Sequence, residues 1–363
     1  MQSSSVPKKL SIPFASSGDK QNIPDESQVG IADGRASYQD GFPPLTRIPI
    51  SAGGIPPFGT DINGVLFDIS SSARWSAAGA NYKYDASFST AIGGYPKGAI
   101  LSNASADGLW VNLIENNTTN PDASGAGWDN PLRGRLLKTS IYTNISGQQY
   151  VSVNGGTPTA TGATVFVASP LTKAIEIECQ AGGSGGGGAQ ANGSMCSVAG
   201  GGGGGAYGRG RFSSWGASLV VTVGAGGAGG AAGNNNGSAG GVSSVGSLIV
   251  CNPGFTGSGG APAPTPFFNG GTAYSQAPSG ANIYAVRGGG GGYGTALSSQ
   301  NAASGVGGSS NFGAGSPPAT NGPGVNAVNY GTGGSGGSLY SASTLSVPGG
   351  NGAPGIIIIY EYS

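Results

Sequence analysis

Histidine is absent from all 363 residues. That removes imidazole bases, histidine-held metals and the serine or cysteine triads that depend on an imidazole. Cysteine is scarce: Cys179, Cys196 and Cys251 are odd in number and lack metal-type spacing. They read as free thiols of a protein made in a cytoplasm, not as a disulfide framework. Only 8% of residues are charged and the net charge is zero. With no basic excess, neither nucleic acid nor an anionic membrane is expected as the main partner. No long apolar run follows Lys8 and Lys9, so no signal peptide is expected. The most apolar stretch, 356–360, is too short for membrane insertion. No metal or cofactor is expected.

Aspartate also stops: none occurs after Tyr150, and 58 of the 75 glycines lie beyond it. The chain therefore has two halves. In the first, "TDINGVLFDISSSARWSAAG" predicts a helix capped by Thr60 or Asp61 and ended by Gly79. Ile62, Val65, Leu66, Ile69 and Ala73 would form its apolar face. A second helix is predicted at "DASFSTAIGG", from Asp85 to Gly93, and strands at "KGAILSN" and "GLWVNLIEN". The Pro- and Gly-rich residues 1–57 read as an extended arm that needs a neighbour to lie against. The expected organisation is an arm at 1–57, a domain at 58–137, connecting strands at 138–162 and a glycine-rich domain at 163–363.

The second half alternates strands ("ATVFVAS", "KAIEIECQA", "ASLVVTVGA", "VGSLIVCN", "GIIIIYEYS") with glycine runs. In the second strand Ile175 and Ile177 take one face and Ala174, Glu176 and Glu178 the other. The glycines recur every third residue: Gly224, Gly227, Gly230 and Gly233; Gly182, Gly185 and Gly188; Gly202, Gly205 and Gly208; Gly288, Gly291 and Gly294; Gly331, Gly334 and Gly337; Gly349, Gly352 and Gly355. Three residues per turn is the polyproline II repeat, which has no internal hydrogen bonds. Glycine faces let such helices approach and pair their backbones. Collagen is excluded, because the register breaks after three or four repeats and proline is scarce in the runs. The fold class expected is mainly β with a small α+β N-terminal region, and a C-terminal glycine-rich, β-sandwich-like domain with packed polyproline II-type helices. Gly227→Val is expected to destabilise it more than Gly237→Val, which lies after an asparagine loop.

The ordered segments "IPFA", "GDK", "GFPPLT", "PISAGGIPPFGTDINGVLFDIS", "IGGYPKGAIL" and "NNTTNPD", over roughly residues 10–132, resemble the N-terminal region of tail fibre proteins of tailed bacteriophages and prophages. The order of strands and glycine runs over about 163–363 is similar to the glycine-rich tip domain of the same family. The resemblance implies attachment to a tail tip or baseplate through the first half. It also implies a homotrimer, location in the virion after synthesis in the host cytoplasm, and recognition of a bacterial surface receptor (glycan, pilus or outer-membrane protein) through the second half.

A glycine frame can project loops, here 190–198, 234–237, 255–285, 295–305, 316–330 and 338–347. Their rings Phe267, Phe268, Tyr274, Tyr284, Tyr330 and Tyr340 are the candidate receptor-binding residues, since flat faces suit sugars or apolar protein patches. The longest loop adds four prolines and the neutral groups of Asn269, Ser275, Gln276 and Asn282. Two other readings stand beside adhesion. One is a fibre-borne glycan-degrading enzyme, for which Glu176 and Glu178 are the available carboxylate pair. The other is a glycine-rich structural protein. No catalytic constellation is visible, and a non-enzymatic role is expected.

Overall fold

The computed structural model describes residues 6–363. It divides into two compact units, Met1–Pro131 and Leu132–Ser363. The boundary thus precedes residue 137, and the segment expected to connect is built into the second unit.

The first unit carries both α-helices found among the described residues, Gly59–Ala77 (α1) and Ala86–Ala91 (α2). Asp85 caps α2 by accepting from the Phe88 amide at 2.9 Å. Helix α1 begins earlier than its expected cap, after Phe58. Asp61 is free of the capping role because Arg35 and the Ala36 amide hold it, at 2.7 and 2.9 Å. Gly79 follows α1 at φ +76°, a left-handed conformation that glycine adopts without strain. The strands Ile100–Ser102, Leu109–Asn112 and Trp128–Asp129 form a small antiparallel sheet.

The arm lies against α1, on a face other than the apolar stripe named from the sequence. Gln21 donates to the Thr60 carbonyl, Phe14 to Ser70 Oγ, and Asn63 to the Asp19 carbonyl. The contact centres on Asp61 and Gly64, the buried residues of the helix. A Cβ at Gly64 would overlap the Gln21 carbonyl, so only glycine admits the arm there. The apolar stripe is left outward: Ile62, Leu66 and Ile69 are 43%, 39% and 60% exposed.

The second unit is a sandwich extended by a glycine slab. A six-stranded antiparallel sheet runs in the order Tyr284–Val286, Tyr207–Phe212, Ala174–Gln180, Ile356–Tyr362, Leu136–Ile145, Gln148–Val153. A four-stranded sheet, Ile249–Cys251, Ser243–Val245, Leu219–Thr222 and Val165–Phe166, packs against it. Between them lie Phe166, Ile175, Ile177, Cys179, Val221, Val245, Ile249, Ile357 and Ile359, all essentially inaccessible to solvent. Glu361 points into this core and is held by Lys138 at 2.5 Å, the Ser169 amide at 2.7 Å and the Thr172 hydroxyl at 2.7 Å. Burial pushes its carboxyl up, but these three partners outweigh burial and hold it below its ordinary value.

Beyond the strands the chain enters runs with no hydrogen bonds within a run. In 181–189 the donors cycle through three neighbours. Ala181, Ser184 and Gly187 donate to Ala206, Gly203 and Gly200. Gly182, Gly185 and Gly188 donate to Gly241, Ser238 and Asn235. Gly183, Gly186 and Ala189 donate to Ala353, Gly350 and Val347, all at 2.8–3.0 Å. Its carbonyls accept from three others: Gly227 and Gly230, Gly334 and Gly337, Gly257 and Gly260. Six neighbours around one extended run, met every third residue, is polyproline II-type packing with every backbone N–H of the run used. The 199–206 and 331–337 runs are also buried throughout. The three close a cycle at mid-length: Ser184 donates to Gly203, Gly202 to Gly334, and Gly334 to Ser184.

Composition follows position in this slab. The 223–231 run lies at its edge, and Ala225, Ala228 and Ala231 occupy its exposed positions. Gly224, Gly227 and Gly230 face inward and accept from Gly355, Gly352 and Gly349. Gly233 does not belong to the set: its φ is +112° and it turns the chain out of the run. Gly208 and Gly294 have passed into strands. The contrast expected between Gly227 and Gly237 disappears. A Cβ at Gly227 would overlap the Ser238 carbonyl, and one at Gly237 would overlap the Gly185 carbonyl.

Candidate recognition surface

The runs fix two ends of the slab. The 181–189 run leaves the six-stranded sheet at Gln180, the 199–206 run returns to it at Tyr207, and the 331–337 run leads away from it. Loops at the far ends of these runs therefore gather at one tip. Ala263 donates to the Cys196 carbonyl, Ser341 to Ser299, and Gly193 to Ser343. Asn321 accepts from the Tyr340 amide and the Ser343 hydroxyl, each at 3.0 Å. Segments of five of the six expected loops (190–198, 255–285, 295–305, 316–330 and 338–347) thus interlock there, while 255–285 and 316–330 run back along the slab to the sheet end. Four of them, all but 316–330, line an open cavity of about 310 Å³ with Met195, Cys196, Pro264, Thr265, Ser299 and Ser341. No charged residue occurs in any of the five.

The six candidate rings do not form one site. Phe267 lies in the strand Phe267–Asn269 and, with Tyr340, packs on Cys196, Val198, Ala296 and Ala302. Both plug a small core under the tip. Phe268, on the other face of that strand, is 70% exposed and pairs with Thr295. Leu297 of the partner strand Gly294–Ser298 and Tyr293, just before that strand, are also exposed. Tyr274 is exposed where the chain runs along the slab, next to Ser275, whose amide donates to Gly288.

Tyr284 and Tyr330 lie at the sheet end, linked by two rings that the sequence reading did not single out. Tyr207 stands 6.1 Å from Tyr284 and 5.9 Å from Phe312, and Phe312 stands 6.3 Å from Tyr330. Much of the neutral hydrogen-bonding capacity expected of the long loop is used internally. Asn269 donates to the Val198 and Gly259 carbonyls, Ser275 Oγ accepts from Gly288, and Asn282 bridges Arg211.

Glu176 and Glu178 share the outer sheet face, as their alternation predicted, and both are engaged. Arg209 Nε donates to Glu176 at 2.6 Å, with Arg211 3.9 Å away. Glu178 receives the Tyr207 and Tyr360 hydroxyls at 3.0 and 3.3 Å. Burial, then the Glu178 charge, raises both phenols, so they stay protonated donors. Burial likewise raises the Cys179 and Cys196 thiols, which leaves them poor nucleophiles. Among the described residues no group of three or more acidic or cysteine side chains is placed to hold a metal.

In the first unit, a separate cavity of about 780 Å³ is lined by Tyr82, Tyr84, Phe88, Tyr95 and Ile100, with Lys83 and Asp85 at its polar side. Its one signal in the sequence is the close spacing of these rings around α2.

A comparison with curated protein sequences returned no match. A family model described as a glycine-rich domain matches residues 158–362, the span that holds the slab and nearly all of its sheets. By that match over more than half its length, the chain belongs to the glycine-rich domain family.

Proposed function

We propose that the chain is a phage tail fibre adhesin. Its glycine-rich unit recognises the host surface at the tip, and its first unit attaches to the tail tip or baseplate. The observation that carries the reading is the tip itself: a slab nearly without side chains holds interlocked segments of five uncharged loops at one end. A rigid frame lowers the ordering cost of binding, and the loops can vary without disturbing it. Catalysis is not favoured, because both outer-face glutamates are committed to protein partners.

The first unit supports attachment from the opposite property. Among its described residues only Ile23, Ala36, Tyr95 and Leu101 are buried apolar side chains. So small a core does not hold a domain of this size alone. The exposed α1 stripe, spaced i, i+4, i+7, fits parallel self-association as a homotrimer. The aromatic cavity offers a seat for a tail protein.

The test uses the full-length protein, labelled and mixed with a panel of bacterial strains. Saturable binding to a subset of strains is expected. Phe268→Ser with Leu345→Ser, both strongly exposed at present, should abolish it while the melting temperature is unchanged. Binding by that double variant equal to the parent would overturn the tip assignment. Release of reducing sugar from the bound cells would overturn the non-enzymatic reading.

A further inference from the structure

We infer that the sheet end of the glycine-rich unit is a second binding site, for a neutral saccharide, along the ladder Tyr284–Tyr207–Phe312–Tyr330 and the polar row beside it. The site lies across the slab from the interlocked tip segments, at the sheet-end limits of the 255–285 and 316–330 loops, and does not depend on the role of the tip.

Charge distribution is the first observation. From residue 163 onward there are seven charged residues: Lys173, Glu176, Glu178, Arg209, Arg211, Arg287 and Glu361. Four of the seven stand together on the outer face of adjacent strands, Ala174–Gln180 and Tyr207–Phe212. In a unit that otherwise avoids charge, this face concentrates it. The four cancel, two arginines against two glutamates. An anionic ligand would meet the carboxylates and a cationic one the guanidinium groups, so the complement is an uncharged, hydroxyl-rich molecule.

Ring geometry is the second. Tyr284 is 53% exposed and Tyr330 37%, while Tyr207 between them is buried and serves to seat the outer rings rather than to meet a ligand. Edge-on contacts of Phe312 with both Tyr207 and Tyr330 fix the ladder. Exposed ring faces suit the C–H face of a pyranose. Arg211 adds to the wall by lying 4.8 Å over the Tyr362 ring, with its backbone clamped by Asn282.

Hydrogen-bond capacity is the third. Each Glu178 oxygen holds one tyrosine hydroxyl and keeps a lone pair, the half-buried Tyr360 hydroxyl can still accept, and the half-exposed arginines retain unused N–H groups. Donors and acceptors therefore alternate along a preordered row, which is what a rim of sugar hydroxyls requires.

The test is titration calorimetry on the full-length protein. The probes are hexasaccharides of glucose, galactose, mannose and N-acetylglucosamine, with polysialic acid as the anionic comparison. At least one neutral probe should bind, and polysialic acid should not. Tyr284→Ala and Tyr330→Ala should each weaken binding tenfold or more without moving the melting temperature. Tyr330→Phe should retain it, and Phe268→Ser should have no effect. No neutral probe binding at millimolar concentration would overturn the inference. So would binding unmoved by both alanine variants, binding lost with Phe268→Ser, or polysialic acid binding equally well. Cell binding by the same variants keeps the readings apart: adhesion insensitive to the tip variants refutes the tip, whatever the calorimetry gives.

Discussion

Gly185→Ala tests the glycine slab where it is densest. Gly185 is buried at the middle of the central run; its amide donates to Ser238 and its carbonyl accepts from Gly257. The added methyl would overlap the Ala228 carbonyl, with Gly229 N only 2.7 Å away. Backbone cannot rotate aside as a side chain can, so the 223–231 run must move. Overpacking of this kind costs about 1–3 kcal/mol. Displacement also strains the bonds Gly185 N–H to Ser238 and Ser238 N–H to Ala228, each worth about 1 kcal/mol. A loss of about 4 kcal/mol follows, and for a unit of this size that lowers the melting temperature by roughly 8–16 °C. Gly216→Ala is the control: it is exposed, its φ is not positive, and its Cβ would meet nothing closer than 3.6 Å. There the substitution should leave stability unchanged or raise it by about 0.4–1 kcal/mol through the unfolded chain. Differential scanning calorimetry of the two variants decides. Melting temperatures within about 2 °C of each other would refute the packed-run account, whatever the fold outside it.

Ile62→Glu with Ile69→Glu places charge on the exposed α1 stripe. It should convert the expected trimer to a monomer in light scattering while leaving helix content by circular dichroism unchanged; a parent protein that is already monomeric would sink the self-association reading. Glu361 has a depressed folded pKa, so its contribution is present above its ordinary value and is lost as pH falls through the folded one. The parent should therefore lose melting temperature on acidification below about pH 4.5, and Glu361→Gln should flatten that part of the profile. Lys138→Met strands the buried carboxylate and should cost about 3–5 kcal/mol at pH 7, measured by urea unfolding; a loss under 1 kcal/mol would mean the ion pair is dispensable. Asp85→Ala removes the α2 cap and should cost the first unit about 1 kcal/mol, seen as an earlier local transition in hydrogen exchange.

Local pattern alone was enough for much of this chain. Alternation in 174–178 put Ile175 and Ile177 inside and the glutamates outside, because side chains on a strand change face at every residue. The three-residue glycine period announced extended runs without internal bonds, because only a residue without a side chain allows such approach. The Asp85 cap and the Gly79 stop were equally local. What sequence could not decide was which neighbour each run meets. Ala181, Gly182 and Gly183 look alike in sequence, yet they donate to Ala206, Gly241 and Ala353, partners set by where distant segments fold. The same holds for the surfaces. Six rings chosen for loop position were divided by the slab into tip, flank and sheet end, and Tyr207 and Phe312 acquired a role only as neighbours of Tyr284 and Tyr330. Helix α1 shows the limit most sharply: periodicity named its apolar stripe correctly, but the arm chose the face carrying Asp61 and Gly64. A period specifies which residues share a face; only tertiary contacts specify what that face meets.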